Sequence, residues 1–205
     1  MVFIFIGLIL LSYLVGSIPT SFIVGKVMKG MDLREHGSGN LGATNAFRVL
    51  GWKGGIFVLV CDILKGALPV LILPRLAARG GLGFLEPHNL ALVIGLAAIL
   101  GHIFTLFMKF KGGKGVATSM GVFLALAPKA FAITLPVCIL LIVLTRYVSV
   151  GSLTGALLLP ILVYVFYPGQ LPLILFTILI GLVILIRHRT NIRRLIQGRE
   201  NKIFP

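Results

Sequence analysis

Four stretches of this chain carry the residue types that chemistry needs. The first, EHGSGNLGATNAFR at residues 35–48, sets Gly37, Gly39 and Gly42 among Ser38, Asn40, Thr44, Asn45 and Arg48. Glycines admit backbone conformations in which successive N–H groups converge on one anion. A helix starting near Ala43 would add its positive end. Arg48, about one turn further on, offers a two-pronged donor to a phosphate. A solvated loop between two helices has the same composition, so the stretch alone leaves both readings open.

The second, GHIFTLFMKFKGGKGVATS at 101–119, crowds Lys109, Lys111 and Lys114 around Gly112 and Gly113. It is not a nucleotide P-loop, which requires Ser or Thr directly after its lysine, where Gly115 stands here. With no Walker-type Asp either, nucleotide hydrolysis is unsupported. A basic anchor at a membrane face is the plainer alternative, but an anchor needs neither paired glycines nor His102 in the preceding span. The third, RHRTNIRRLIQGREN at 187–201, puts His188 and Asn191 on one helix face, followed by Arg193 and Arg194. A basic amphipathic helix on a membrane surface would read the same way. The fourth, CDILKGALP at 61–69, holds Asp62 and Lys65 three apart inside an apolar run. Ionisable groups there are costly and are usually paired or functional; a mutually neutralising pair lining a polar cavity is expected.

Other chemistries are excluded by what is missing. An acyltransferase signature with His, four residues, then Asp does not occur, since His36, His88, His102 and His188 meet Leu41, Val93, Phe107 and Arg193 at that offset. No Gly-x-Ser-x-Gly nucleophile elbow is present. Cys61 and Cys138 sit in apolar runs and suggest neither a disulfide framework nor a metal site.

The elements that must position these residues are membrane helices. The 205 residues fit one domain, and 58% hydrophobic content with a mean hydropathy of +1.09 exceeds what a soluble globule carries. We expect an all-α integral membrane protein, a single polytopic domain over 1–205. Apolar segments lie at about 2–25, 55–75, 88–108, 115–127, 130–145, 149–167 and 170–187, giving about seven transmembrane helices. The 115–145 stretch also reads as one long span broken near Pro128–Lys129. The N-terminal run lacks a basic leader and a small-residue cleavage site, and is expected to be a retained first helix.

The net charge of +14 rests on nineteen basic and five acidic residues. No basic tract with interleaved aromatics points to nucleic acid; basic residues flanking spans and meeting anionic lipid explain the charge more simply. With the N-terminus outside and the C-terminus cytoplasmic, fifteen of the nineteen fall on inner segments. Arg75, Arg79 and Lys129 fall outside, and Lys65 lies within a span. The same orientation gathers every polar, Gly-rich stretch on the cytoplasmic side.

Together, GSIPTSF at 16–22, GSGNLGATNAFRVLG, DILKG, GHIFTLFMKFKGGKGVATS and HRTNIRRL resemble, in order and spacing, the bacterial acyl-phosphate-dependent glycerol-3-phosphate 1-O-acyltransferases, the PlsY family. The resemblance covers nearly the whole chain. One departure is Thr105, where the family usually has Pro after Gly-His-x-Phe. The resemblance implies a multi-pass protein of the bacterial cytoplasmic (inner) membrane. It would transfer an acyl group from acyl phosphate to the 1-hydroxyl of glycerol 3-phosphate, giving lysophosphatidic acid and inorganic phosphate. It implies no cofactor and no metal, and a functional link to a soluble acyltransferase that forms acyl phosphate. By residue match, Ser38, Arg48, Lys114, His188 and Asn191 are the expected catalytic set. Gly37, Gly39, Asn40, Thr44, Asn45, Lys111, Gly112 and Gly113 would bind substrate phosphate, with Asp62, Lys65 and His102 as polar support.

Two phosphate-bearing substrates would explain glycine nests and cations with few carboxylates nearby. Phosphate is already a good leaving group, so direct displacement is expected, with His188 or a substrate phosphate oxygen as base. A membrane transporter for phosphate or an organic anion is the alternative. It is disfavoured because the polar stretches share one side and no midplane anion site is evident. A small structural membrane subunit leaves the Gly, Asn and Ser concentration unexplained.

Overall fold

The computed structural model describes residues 2–79 and 86–203. The described residues form helices α1 (Val2–Ser17), α2 (Thr20–Lys29), α3 (Ala43–Arg79), α4 (Pro87–Ile103), α5 (Val116–Leu126), α6 (Pro128–Thr145), α7 (Val148–Phe166), α8 (Leu171–Arg187) and α9 (Arg189–Ile196). No strand occurs among them. The all-α membrane architecture read from composition is the one observed. Five helical stretches are long and apolar enough to cross a bilayer: Val2–Lys29, Ala43–Arg79, Pro87–Met108, Pro128–Thr145 and Val148–Phe166. A sixth arises if α8 and α9, bent by 59°, are taken as one span. α5, with 11 residues, rises only about 16 Å against a hydrocarbon core of roughly 30 Å.

The breaks have local causes. Pro19, without an N–H, separates α1 from α2. Gly51, at φ 81° and ψ −174°, kinks α3 after its first two turns. The 115–145 stretch breaks at Ala127 (φ −137°, ψ 56°), with Pro128 opening α6, where the missing donor costs nothing. Pro69 and Pro74 lie inside α3, as membrane helices tolerate.

The chain packs as two compact units, Met1–Leu126 and Ala127–Pro205. In the first, α1 crosses α4 and α3 crosses α5 at glycine-to-backbone distance. A Cβ on Gly16 would run into Ala98 O, and one on Gly101 into Tyr13 O. Gly66 and Gly121 stand in the same relation to Thr118 O and Ile63 O. Small residues permit such approach where lipid supplies no hydrophobic drive between helices. Ser12 Oγ donates to Ile94 O at 2.8 Å and Ser17 Oγ to Gly101 O at 3.2 Å, adding polar ties across α1 and α4. In the second unit, α7 packs against both α6 and α8.

Candidate active site

The first polar stretch is a loop with its own support. Leu33 is fully buried with Val24, Ala46, Leu50 and Val58, plugging the loop onto α2 and α3. Asp32 receives Arg34 Nη2 at 2.6 Å and the Arg34 backbone N–H at 3.0 Å. The Arg34 guanidinium holds the Asp32 carboxyl below the usual carboxylate range. α3 begins at Ala43, where the sequence places a helix start. Asn45, 1% exposed, sits beneath the loop. Its Oδ1 accepts the Ser38 N–H at 2.8 Å, and its Nδ2 donates to Leu33 O at 2.9 Å and His36 O at 3.1 Å. Gly37, at φ 63°, has no room for a side chain, because a Cβ would strike the Asn45 amide. The asparagine amide therefore shapes the loop from below.

Above it, Ser38 is exposed, and Asn40, Thr44 and Arg48 are partly buried. Thr44 and Arg48, four apart on α3, share one helix face. The N–H groups of Ala43 and Thr44 open the helix, with no carbonyl of the helix itself in line to receive them. Lys29 Nζ donates to Val49 O at 2.6 Å, tying α2 to the last turn before the Gly51 kink.

The second stretch doubles back on α4. Lys109 and Phe110 both take left-handed backbone, at φ 53° and 60°, which costs roughly 1–2 kcal/mol per residue. Thr105 O accepts the N–H of Phe110 at 2.9 Å and of Met108 at 3.2 Å, closing the turn. Thr105 Oγ1 donates to Ser17 O at the end of α1. The departure from the family's usual Pro thus places a hydroxyl on an orphan helix carbonyl. The Gly112 and Gly113 N–H groups donate to Ile103 O at 3.0 Å and His102 O at 3.1 Å. These two donors cap α4, so the pair acts in the loop by close packing. A Cβ on Gly113 would lie 2.9 Å from Leu41 O and would collide with the His102 ring. The two glycine-rich loops therefore meet at Gly113. Lys111 is exposed and Lys114 partly buried beside that contact.

Beneath the junction lies the intramembrane pair. Lys65 Nζ is 2.7 Å from Asp62 Oδ1 and donates to Ile18 O at 3.0 Å. A cation suits the C-terminal end of α1, where carbonyls lack partners. His102 Nδ1 stands 3.8 Å from Asp62 Oδ1. Asp62 and Lys65 form the expected ion pair, and the His102 ring stands beside Asp62, outside hydrogen-bond reach.

In the second unit, His188 and Asn191 are both buried at the α8–α9 bend. His188 Nδ1 lies 2.8 Å from Ile184 O. A carbonyl only accepts, so Nδ1 carries the proton, and in the neutral ring Nε2 holds the lone pair. Asn191 Nδ2 donates to Glu200 Oε1 at 2.6 Å, Ser149 Oγ to the same oxygen at 3.1 Å, and Arg194 Nε lies 3.2 Å from Glu200 Oε2. Glu200 belongs to none of the motifs legible in the sequence. Its signal is rarity: it is one of five carboxylates in a chain of charge +14, closing a basic stretch. Among the described residues no cluster of His, Cys, Asp or Glu could hold a metal ion.

Comparison with known proteins places the chain in a family. The family model for glycerol-3-phosphate acyltransferase matches residues 6–198. The glycerol-3-phosphate acyltransferase of Trichlorobacter lovleyi is 49% identical, over 93% of each chain. A solved structure of PlsY, an integral membrane glycerol 3-phosphate acyltransferase, in its glycerol 3-phosphate form, superposes with a TM-score of 0.86. It shares 38% identity, with 97% of this chain and 94% of that one covered. Its lysophosphatidic acid form gives 0.83 and 37% over the same shares. A match running through both compact units, at this identity, makes the chain a membrane-embedded acyltransferase and a member of the glycerol-3-phosphate acyltransferase family.

Proposed function

We propose that the protein transfers a fatty acyl group from acyl phosphate to the 1-hydroxyl of glycerol 3-phosphate, giving lysophosphatidic acid and inorganic phosphate. The observation that carries this reading is the meeting of the two glycine-rich loops at Gly113 and Leu41. It brings the stretch with Ser38, Thr44 and Arg48 beside the stretch with Lys111 and Lys114. Such a concentration of donors and cations suits phosphate-bearing substrates. The related PlsY structures, with glycerol 3-phosphate and lysophosphatidic acid named in their forms, support the acceptor and the product.

The reaction is a direct displacement. The glycerol 3-phosphate hydroxyl oxygen attacks the acyl carbonyl, an ester C–O bond forms, and the bond to the phosphate oxygen breaks with its electron pair on phosphate. Arg48, Lys111 and Lys114 neutralise phosphate charge, and Ser38 and Thr44 donate to phosphate or to the developing oxyanion. His188 and Asn191 hold glycerol 3-phosphate. The hydroxyl proton goes to His188 Nε2 or to a substrate phosphate oxygen. Positioning supplies much of the rate, and no cofactor is required.

The 205 residues form one polytopic domain in the cytoplasmic (inner) membrane of a bacterium, with about seven spans when the short α5 and the bent α8–α9 pair are each counted as crossing, the N-terminus outside and the polar loops at the cytoplasmic face. The distribution of basic residues supports that orientation, and α5 is the short span, packed against α3 and α4. A soluble acyltransferase supplies acyl phosphate. The test is turnover of purified protein in lipid. Acyl phosphate plus labelled glycerol 3-phosphate should yield lysophosphatidate and one phosphate per product. Turnover with an acyl thioester but none with acyl phosphate would refute the donor.

A further inference from the structure

Acyl transfer as described leaves a buried histidine without a task. His102 is 5% exposed. Its Nδ1 faces Asp62 Oδ1 at 3.8 Å, and Asp62 is held in turn by Lys65 at 2.7 Å. The other end of the ring, Nε2, lies against Gly113. The backbone of the same segment holds the loop as well, through His102 O to the Gly113 N–H and Ile103 O to the Gly112 N–H. Leu41 O of the first loop closes on Gly113 from another side.

An apolar residue of similar volume would fill the same space. It would not meet a carboxylate at one end and a backbone turn at the other. Imidazole is stiff and has a polar nitrogen at each end. Nδ1 faces the Asp62 carboxylate at 3.8 Å, beyond hydrogen-bond reach, so the carboxylate biases the rotation of the ring through its charge. Here the far end meets the residue that precedes Lys114.

We propose that His102 is a positioning residue for acyl transfer. Asp62 orients its ring, and the ring sets the Gly112–Gly113 backbone so that Lys114 is presented to substrate phosphate. The proposal rests on the reading of Lys114 as a phosphate ligand given above. Lys65 supplies the counter-charge that lets Asp62 do this inside the membrane, while tying the pair to the end of α1.

The test uses the full-length protein in phosphatidylglycerol–phosphatidylethanolamine vesicles, as wild type and as His102→Ala, His102→Gln and Asp62→Asn. Four quantities are measured: kcat, KM for each substrate, the inhibition constant of inorganic phosphate, and thermal unfolding. His102→Ala should lose about 10- to 100-fold in kcat/KM and bind inorganic phosphate more weakly while remaining folded. His102→Gln should recover part of both, and Asp62→Asn should shift both in the same direction as His102→Ala. Unchanged kinetics in His102→Ala would overturn the proposal. So would a loss of active fraction alone, with KM and phosphate inhibition as in wild type, because that is what a purely structural residue gives. Should His102→Ala fail to fold, His102→Gln and Asp62→Asn decide on the same readouts. A wild type that uses an acyl thioester instead of acyl phosphate refutes the donor assignment, and the His102 comparison is then read with that donor.

Discussion

The amide of Asn45 reaches back seven residues to accept the Ser38 N–H at 2.8 Å. The same side chain donates to Leu33 O and His36 O, so one buried group holds both ends of the polar loop. Asn45→Ala removes three hydrogen bonds at roughly 1 kcal/mol each and frees the loop. Asn45→Asp keeps the acceptor for Ser38 but sets carboxylate oxygen against two carbonyls. Both variants should lower the melting temperature and cut kcat/KM together. Wild-type activity in Asn45→Ala would show that the loop holds its shape without this amide.

Arg48 shares a face of α3 with Thr44 at the open end of the helix. Arg48→Ala should abolish most turnover while leaving the protein folded and inserted. Arg48→Lys should rescue poorly, since a point charge does not replace a fork. Steady-state kinetics on both substrates checks this, and an unaltered kcat/KM in Arg48→Ala would remove the residue from the phosphate site.

Thr105 stands at φ −63°, the value proline imposes, and its hydroxyl donates to Ser17 O. Thr105→Val leaves that buried carbonyl without its donor and should cost about 1–3 kcal/mol. Thr105→Pro also loses the bond but stiffens the turn at a compatible φ, so it should destabilise less than Val. Thermal unfolding of the two variants in one lipid settles the order.

Glu200 gathers Asn191, Ser149 and Arg194 around one carboxylate. Glu200→Ala removes the acceptor of the Asn191 amide and the counter-charge of the Arg194 guanidinium. It should raise KM for glycerol 3-phosphate and lower stability by roughly 2–4 kcal/mol. Glu200→Gln, which keeps an oxygen for Asn191, should fall in between. Competition by glycerol 3-phosphate analogues, read beside thermal unfolding, separates the two effects.

Much of this molecule is legible in its sequence, for identifiable reasons. Apolar runs give the helices because a bilayer leaves few other structures, and the helix start at Ala43 follows from the glycine-rich run before it. Asp62 and Lys65 pair as intramembrane charges must. Other features depend on contacts that local pattern does not encode. The Gly112 and Gly113 N–H groups are consumed by α4, which only the doubling back of the chain reveals. Asn45 looks like a phosphate donor in sequence, yet its side chain is turned beneath the loop. Glu200 lies nine residues from Asn191 and fifty-one from Ser149, spacings that belong to no helical repeat.

Direct transfer is tested most sharply at Ser38. A serine nucleophile needs a base within reach and a group to orient that base. The Ser38 backbone is fixed by Asn45, and neighbouring His36 is exposed, with its carbonyl engaged by Asn45 and Gly39. Ser38→Ala should slow turnover by about 10²–10³, the cost of one donor to developing charge. The decisive measurement is a single-turnover mixture of enzyme and acyl phosphate without glycerol 3-phosphate, followed by phosphate release and intact-protein mass. Direct transfer gives no phosphate burst and no mass increase until glycerol 3-phosphate is added. A stoichiometric burst, with an acyl adduct on Ser38 that chases into lysophosphatidate, would contradict it.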